Sequence, residues 1–388
     1  MSFRFFRWCV VWGLLIAVVG CVDPFSLTGF QSDPQLVIDG FISDQPGPYT
    51  VHLYHTSRPD TVVTGYLPEQ GATVTIVDDQ GNREQLLETE AGTYRTSPAG
   101  MHGVVGREYH LEVKTGQGHE YTSDPERLPP GGKIDSIYYE YGSVYVKNPD
   151  PAKLGDQKID VFNIFLDAHG PSETPSYQRW SWEGVYKVHT FPELRYRPVY
   201  VNGCEDDVQD PVPCCGFIAI LTGPISAILN QVGPCTCCVC WIHEYERSPV
   251  VLDDQLSKRG KFNRIPITTV RITEERFFEK YMVRITQMNL TERAGKFWKQ
   301  VQNQKQGATS LFQPPYGKLT GNIQSVGDAP KAIGIFYAAS VNRKDMSIYA
   351  RQVPRDHVLN GMRSTDKIYY KSCLDYDHST NVQPPYWQ

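Results

Sequence analysis

The cysteines are the residues of this chain with the most capacity for chemistry. Ten occur in 388 residues, and Cys204, Cys214, Cys215, Cys235, Cys237, Cys238, Cys240 and Cys373 lie in its second half. All of these but Cys373 crowd into a Pro- and Gly-bearing stretch, 192–240, without clear periodicity. Such a loop buries too little apolar surface to hold itself together, and cross-links restrict its unfolded ensemble by ~2–4 kcal/mol each. In an exported protein an even set of this kind reads as disulfides. Neighbours such as Cys237-Cys238 seldom bond to each other because their Cβ vectors diverge, so they are expected to reach outward, toward Cys204, Cys214 or Cys215. The connectivity stays open. The alternative is a metal: Cys235, Cys237, Cys238, Cys240 and His243 are soft ligands, and Cys214-Cys215 could complete a tetrahedral zinc or copper(I) site. An oxidising compartment favours the disulfides.

Other reactive patterns are weaker. His243-Glu244-Tyr245-Glu246-Arg247 imitates the start of a zinc-protease helix, but Arg247 stands where the second histidine ligand has to be. Gly-x-Ser-x-Gly is absent, so no serine is placed on a nucleophile elbow. The acid pairs Asp78-Asp79 and Asp253-Asp254 and the run Glu205-Asp206-Asp207 with Asp210 read as solvated loop faces. The last lacks the Gly-bearing order of a calcium loop. Trp180, Trp182 and Tyr186 share one strand face, where they serve either as core packing or as a platform for a sugar or peptide. No catalytic residue and no cofactor is expected.

Which cysteine chemistry applies depends on where the chain resides. Arg4 and Arg7 precede an apolar run from Cys9 to Val19, which closes on Val18-Val19-Gly20-Cys21. A basic start, an apolar core of about 11 residues and a small residue before the cut describe a secretory signal, too short for the ~20-residue span of a bilayer. The aliphatic-aliphatic-Gly-Cys ending resembles a bacterial lipobox, with Cys21 carrying the lipid. The expected parts are therefore a signal at 1–20 and a tether at 21–33. The chain is mildly acidic, net −5, and has no basic cluster, which argues against nucleic acid.

The elements that position these residues are strands. Gln35–Ser43, Tyr49–His55, Ala72–Asp78, Arg83–Glu88, Gly92–Thr96, Glu108–Thr115 and His119–Ser123 alternate or run β-branched between turn signals, predicting an immunoglobulin-like sandwich over 34–127. Leu128-Pro129-Pro130-Gly131-Gly132 marks a break. A larger β-rich domain follows over 133–388, with strands at Ile134–Glu140, Ser143–Lys147, Lys158–Ala168, Gln178–Phe191, Ile267–Thr273, Phe278–Gln287, Gly317–Ile323, Ile333–Ser340 and Met346–Tyr349. One helix is expected, capped by Thr291 and carrying Ala294, Phe297, Trp298 and Val301 on one face. The fold class is all-β in the main.

Several local features together resemble the Bacteroidota lipoprotein family catalogued as domain of unknown function 4249. They are Leu36-Val37-Ile38-Asp39-Gly40, Ile134-Asp135-Ser136-Ile137, Tyr177-Gln178-Arg179-Trp180-Ser181-Trp182, Cys240-Trp241, Asn289-Leu290-Thr291-Glu292, Phe297-Trp298-Lys299, Gly321-Asn322-Ile323, and Cys373 followed by Pro385-Tyr386-Trp387. The density of cysteines between 204 and 240 departs from that pattern. The resemblance implies an outer-membrane, lipid-anchored protein that accompanies a TonB-dependent transporter in uptake. It brings no catalytic residues. Asp60-Thr61-Val62 and Asp135-Ser136-Ile137 resemble the O-glycosylation acceptor of that phylum. The function expected is thus non-catalytic binding, with a surface hydrolase built on an unrecognised acid pair and a structural or adhesive envelope protein as alternatives.

Overall fold

The computed structural model describes residues 34–56, 66–148, 155–171, 177–253, 260–307, 319–355 and 359–388. Cys21, the segments assigned to signal and tether, Asp254 and the Asp60-Thr61-Val62 triplet lie outside the described residues. The chain is all-β in the main, with one α-helix among those described.

Strand alternation builds the first sandwich. In β1 (Leu36–Ser43), Leu36, Ile38 and Ile42 are buried, while Val37, Asp39 and Phe41 point to the other face. Antiparallel to it runs β2 (Thr50–His55), flanked by β3 (Leu67–Pro68) and by β7 (Thr93–Arg95) with β6 (Leu87–Glu90). The facing sheet is built on β4 (Thr73–Asp78), β5 (Arg83–Gln85), β8 (Glu108–Lys114), β9 (Glu120–Ser123) and β10 (Glu126–Arg127). Ile38, Leu53, Ile76, Tyr94, Tyr109 and Leu111 fill the space between them.

Both sheets are completed by strands from far along the chain. β22 (Ile323–Val326) pairs with β9, and β23 (Ile333–Tyr349) runs parallel to β1 from Val37↔Ile333 to Ser43↔Ala339. Phe336 and Ala338 thereby enter the first core. The approach is close. Gly334 has φ +115°, and a Cβ there would lie 1.9 Å from the Ile38 carbonyl oxygen; a Cβ on Gly321 would lie 1.6 Å from that of Gly334. Next to Gly321, the wholly buried Asn322 side chain donates to the Phe336 carbonyl (2.7 Å) and accepts from the Phe336 amide (3.0 Å), imitating a strand partner.

β23 continues past this sandwich into a second core. There it pairs with β21 (Lys280–Leu290), which pairs with β13 (Tyr177–His189), and β13 pairs with β18 (Val239–Tyr245) and the short β19 (Val250–Asp253). The result is one eleven-stranded sheet shared by both cores. A three-stranded sheet of β11 (Lys133–Lys147), β12 (Asp156–His169) and β20 (Lys261–Arg271) covers one face of its far half. Trp180, fully buried, meets Phe262 edge-on across that interface (5.2 Å, 74°). Helix α1 (Glu292–Gly307) covers the opposite face, packing Ala294 and Phe297 on Leu290, Ile335 and Tyr337. The expected cap is present, since the Thr291 hydroxyl accepts from the Ala294 amide (3.3 Å).

The Pro-Pro-Gly-Gly segment crosses between these layers and is held by side chains. Asn289 donates to the Pro130 carbonyl (2.7 Å), Ser340 to that of Pro129 (2.5 Å), and Asn342 accepts from the Ile134 amide (3.0 Å). Buried polar groups such as Asn289 and Ser340 are tolerated here because they satisfy backbone that has no ladder of its own.

Two expectations need correction. The 192–240 stretch is not aperiodic: it folds into two hairpins, β14–β15 (Tyr196–Val201 with Cys204–Gln209) and β16–β17 (Phe217–Leu221 with Ala227–Gln231). The second escapes pattern reading because it is apolar on both faces. Likewise, Ile134–Glu140 and Ser143–Lys147 are one strand, β11, and Ile333–Ser340 and Met346–Tyr349 are another; Tyr141-Gly142 is still paired with β12 and the polar Asn342–Asp345 run with β21.

Candidate functional site

Six of the eight cysteines are bonded, as Cys214–Cys237, Cys235–Cys238 and Cys240–Cys373. Cys237 reaches outward to Cys214, while Cys238 closes a short loop to Cys235. Cys204 and Cys215 remain thiols, the first exposed and the second buried, so the expectation that all eight cross-link holds for six. Cys215 is occupied otherwise: its sulfur accepts from the Phe217 amide (3.4 Å) in the turn that starts the second hairpin. The metal alternative loses its ligands in this arrangement. Five of its six sulfurs form disulfide bonds, and His243 Nδ1 lies 2.6 Å from Glu183 Oε1. No cluster of three or more metal-ligating side chains occurs among the described residues.

The third disulfide builds a wall. Cys240 is on the edge strand β18, and Cys373 opens the C-terminal segment that returns as β24 (Ser379–Thr380) against Trp241 and Ile242. Between these two points Tyr376, Asp377 and His378 are held beside β18. They close one side of a cleft of 850 Å³, whose other sides come from β20, β13 and the Arg276–Tyr281 segment. The volume lies within the range of small-molecule sites.

Charge inside the cleft is compensated from within. Glu244 receives the Arg276 guanidinium (Nε at 3.1 Å) and the Tyr281 hydroxyl (2.6 Å). Arg276 in turn lies over the Tyr186 ring at 5.6 Å. Burial, with Glu244 beside it, pushes the Tyr281 phenol well above its ordinary range, and burial pushes Tyr186 up to about 12, so both stay neutral donors. Behind the rim, Glu246 pairs with Arg179, whose guanidinium lies 4.2 Å from the Trp298 ring centre. Burial raises the Glu246 carboxyl and Arg179 opposes that rise.

The rim is aromatic and imidazole. His243 stacks on Tyr245 (6.2 Å), and His378 meets Tyr245 edge-on (5.5 Å). His378 has φ +55°, a left-handed conformation uncommon for a residue with a Cβ. Arg247 and Arg271 also line the cleft, exposed and without an ion-pair partner among the described residues.

The sequence-marked residues distribute unevenly over this site. Trp180 is core, whereas Trp182 and Tyr186 line the cleft. The segment 243–247 forms its edge, though as a strand end and not as a ligand helix. Asp78 and Asp79 share Arg107, and Asp210 pairs with Arg195 (2.7 Å), away from the cleft. Glu205, Asp206 and Asp207 are exposed along β15. Arg276, Tyr281, Tyr376 and His378 carry no local signature, and only the tertiary pairing brings them to Glu244. Among the described residues, no helix is long and apolar enough to cross a membrane.

A double-cored β-protein with a cross-linked edge cleft is the class these features define. The profile of the family described as Domain of unknown function (DUF4249) matches residues 22–345. The chain belongs to this family. The match ends within β23, so Cys373 and the Tyr376–His378 wall lie beyond it. No curated protein matches the chain.

Proposed function

We propose that this protein is an exported lipoprotein, acylated at Cys21 and held at the outer membrane, that binds ligand non-catalytically in the β18–β20 cleft as an accessory to a TonB-dependent transporter. The anchor and the transporter rest on the sequence features at residues 4–21 and on the family resemblance. Binding in preference to catalysis rests on one observation: of the cleft carboxylates Glu244, Glu246 and Asp377, Glu244 is held by both Arg276 and Tyr281 and Glu246 by Arg179. A glycosidase-type pair needs one carboxyl free to attack or to activate water and one held protonated. Glu244 is instead a structural counter-ion. Arg247 and Arg271, which have no ion-pair partner among the described residues, and the rings of Trp182 and Tyr245 suit a ligand that carries both an anionic group and a flat or apolar part.

The test is gentle detergent extraction of membranes that express the full chain, followed by affinity isolation and mass spectrometry. Recovery of a barrel transporter, together with acylated Cys21, is the expected result. Recovery of other surface proteins without a transporter overturns the uptake role in favour of an adhesive one. Turnover of a glycan or peptide by the purified chain, abolished by Glu244→Gln, overturns the non-catalytic reading.

A further inference from the structure

The outer strands of the three main sheets are unlike one another. The six-stranded sheet ends in β22 (four residues) and β5 (three), and the eleven-stranded sheet ends in β6 (four) and β24 (two). Edges this short resist further pairing. In the three-stranded sheet, β20 carries Pro266 and a left-handed Arg264 (φ +53°), which break its regularity. On the other side of that sheet, β11 is a fifteen-residue outer strand without proline, and its bulge is confined to Ile134–Ser136. From Ser136 to Val146 its only charge is Glu140, answered by Arg264 of its own sheet (2.7 Å). Asn342 and Lys344 of β23 bond the Ile134 amide and the Asp135 carbonyl. Beyond them, the main chain of Ser136–Glu140 and of Gly142–Val146 bonds only to β12 among the described residues.

We propose that the free edge of β11 pairs antiparallel with the same edge of a second copy of this chain, about a two-fold axis at Tyr141. Symmetric antiparallel pairing sets residues of like parity opposite each other, so both side-chain faces continue across the seam. With the axis at Tyr141, Asp135 lies opposite Lys147, Ile137 opposite Tyr145 and Tyr139 opposite Ser143, each twice by symmetry. Opposite charges and aromatic–β-branched pairs stabilise such a seam. Moving the axis to Glu140 sets Lys133 against Lys147, a like pair, and moving it to Gly142 sets Lys147 against Ile137. Of the three registers, the one at Tyr141 is thus complementary in charge. Lys147 is exposed and has no ion-pair partner among the described residues, and Asp135 is half-exposed beside His169 (2.9 Å). Tyr145, 70% exposed in the single chain, gains Ile137 of the second copy as cover. The pairing involves neither the cleft nor the lipid anchor and stands or falls apart from both.

Sedimentation of the purified full chain over a wide concentration range, with photo-oxidative coupling of touching tyrosines and peptide mass mapping, tests it. A monomer–dimer equilibrium and a Tyr141–Tyr141 dityrosine between copies are expected. Lys147→Glu should raise the dimer Kd about tenfold, because two opposite-charge pairs become like pairs. Asp135→Lys/Lys147→Glu, which exchanges the two signs, should restore it. A monomer at every concentration, or a dimer whose dityrosines map away from β11, overturns the pairing. A Kd indifferent to Lys147→Glu overturns the register. Coupling in cells that joins Tyr141 only to another protein overturns self-pairing in favour of that partner. If a variant fails to fold, the wild-type dityrosine map alone decides.

Discussion

Cys240 and Cys373 are 133 residues apart in sequence and joined by a disulfide, and that bond sets one wall of the cleft against its floor. The sulfur of Cys240 belongs to the edge strand; that of Cys373 belongs to the segment carrying Tyr376 and His378. Without the bond, the wall keeps on β18 the two-residue pairing of β24, the bond from the His243 amide to the His378 carbonyl (3.1 Å) and the edge-on contact of His378 with Tyr245.

Cys373→Ser should therefore lower stability by about 3–5 kcal/mol, since the closed loop is long. It should also free the Tyr376–His378 segment for proteolysis while the first sandwich persists. Non-reducing thermal melts together with limited proteolysis check both effects. A variant with unchanged Tm and cleavage pattern counts against the wall assignment.

Gly334→Ala should be severe. The added Cβ meets the Ile38 carbonyl at 1.9 Å, on backbone with φ +115° that side chains avoid. A loss of about 3 kcal/mol or more is expected from strain and lost β1–β23 pairing together. Urea denaturation measures it, and Gly327→Ala, with open space around its Cβ and φ +62°, is the milder control.

Glu126 predicts a pH dependence. Burial raises its carboxyl above the ordinary 4.5, against the opposing Thr291 hydroxyl and Arg293. Because the folded value exceeds the unfolded one, the protonated group contributes stability that is full below about 4.5 and is lost as pH rises through the folded value. Glu126→Gln should flatten that decline and leave the acid side unchanged. Chemical denaturation at several pH values from 4 to 8 resolves the difference; an unaltered slope above 4.5 contradicts it.

Tyr281→Phe removes the hydroxyl that donates to Glu244 and should cost about 1.5–3 kcal/mol, the range for a hydrogen bond to a charged partner. In Arg276→Ala the same carboxylate loses its cation, so the loss should be larger. The double variant should fall short of the sum, because both partners serve one carboxylate. Denaturation of the four proteins closes the cycle.

Thr291→Ala should remove about 1 kcal/mol through the α1 cap. The hydroxyl also donates to Glu126, so the pH profile of this variant should shift as well, which a cap acting alone leaves unmoved.

Much of the fold is legible where burial has a period. β1, β2, β4 and β8 alternate visibly, and α1 announces itself through Thr291, Ala294, Phe297 and Trp298. Legibility fails where tertiary pairing overrides composition. Arg343-Lys344-Asp345 reads as a loop, yet it is a strand interior because Arg284 answers Asp345 (2.8 Å) and Lys344 reaches the Asp135 carbonyl (2.6 Å). The β16–β17 ribbon hides for the opposite reason, being apolar on both sides. Of the cleft, only Trp182, Tyr186 and 243–247 stand out in sequence. Arg276 and His378 become neighbours of Glu244 through strand order and one disulfide, neither of which a local pattern encodes.

The parallel seam between Val37–Ser43 and Ile333–Ala339 bears on how the protein is made. A chain emerging from synthesis presents β1 some three hundred residues before its neighbour β23 exists. Until that neighbour arrives, one flank of β1 has no pairing, and Phe336 and Ala338 are missing from the first core. Contacts this distant slow folding and lengthen the time during which strand edges can aggregate. The nascent amino-terminal half therefore waits unfinished, with an open flank on β1, until almost the whole polypeptide has been made.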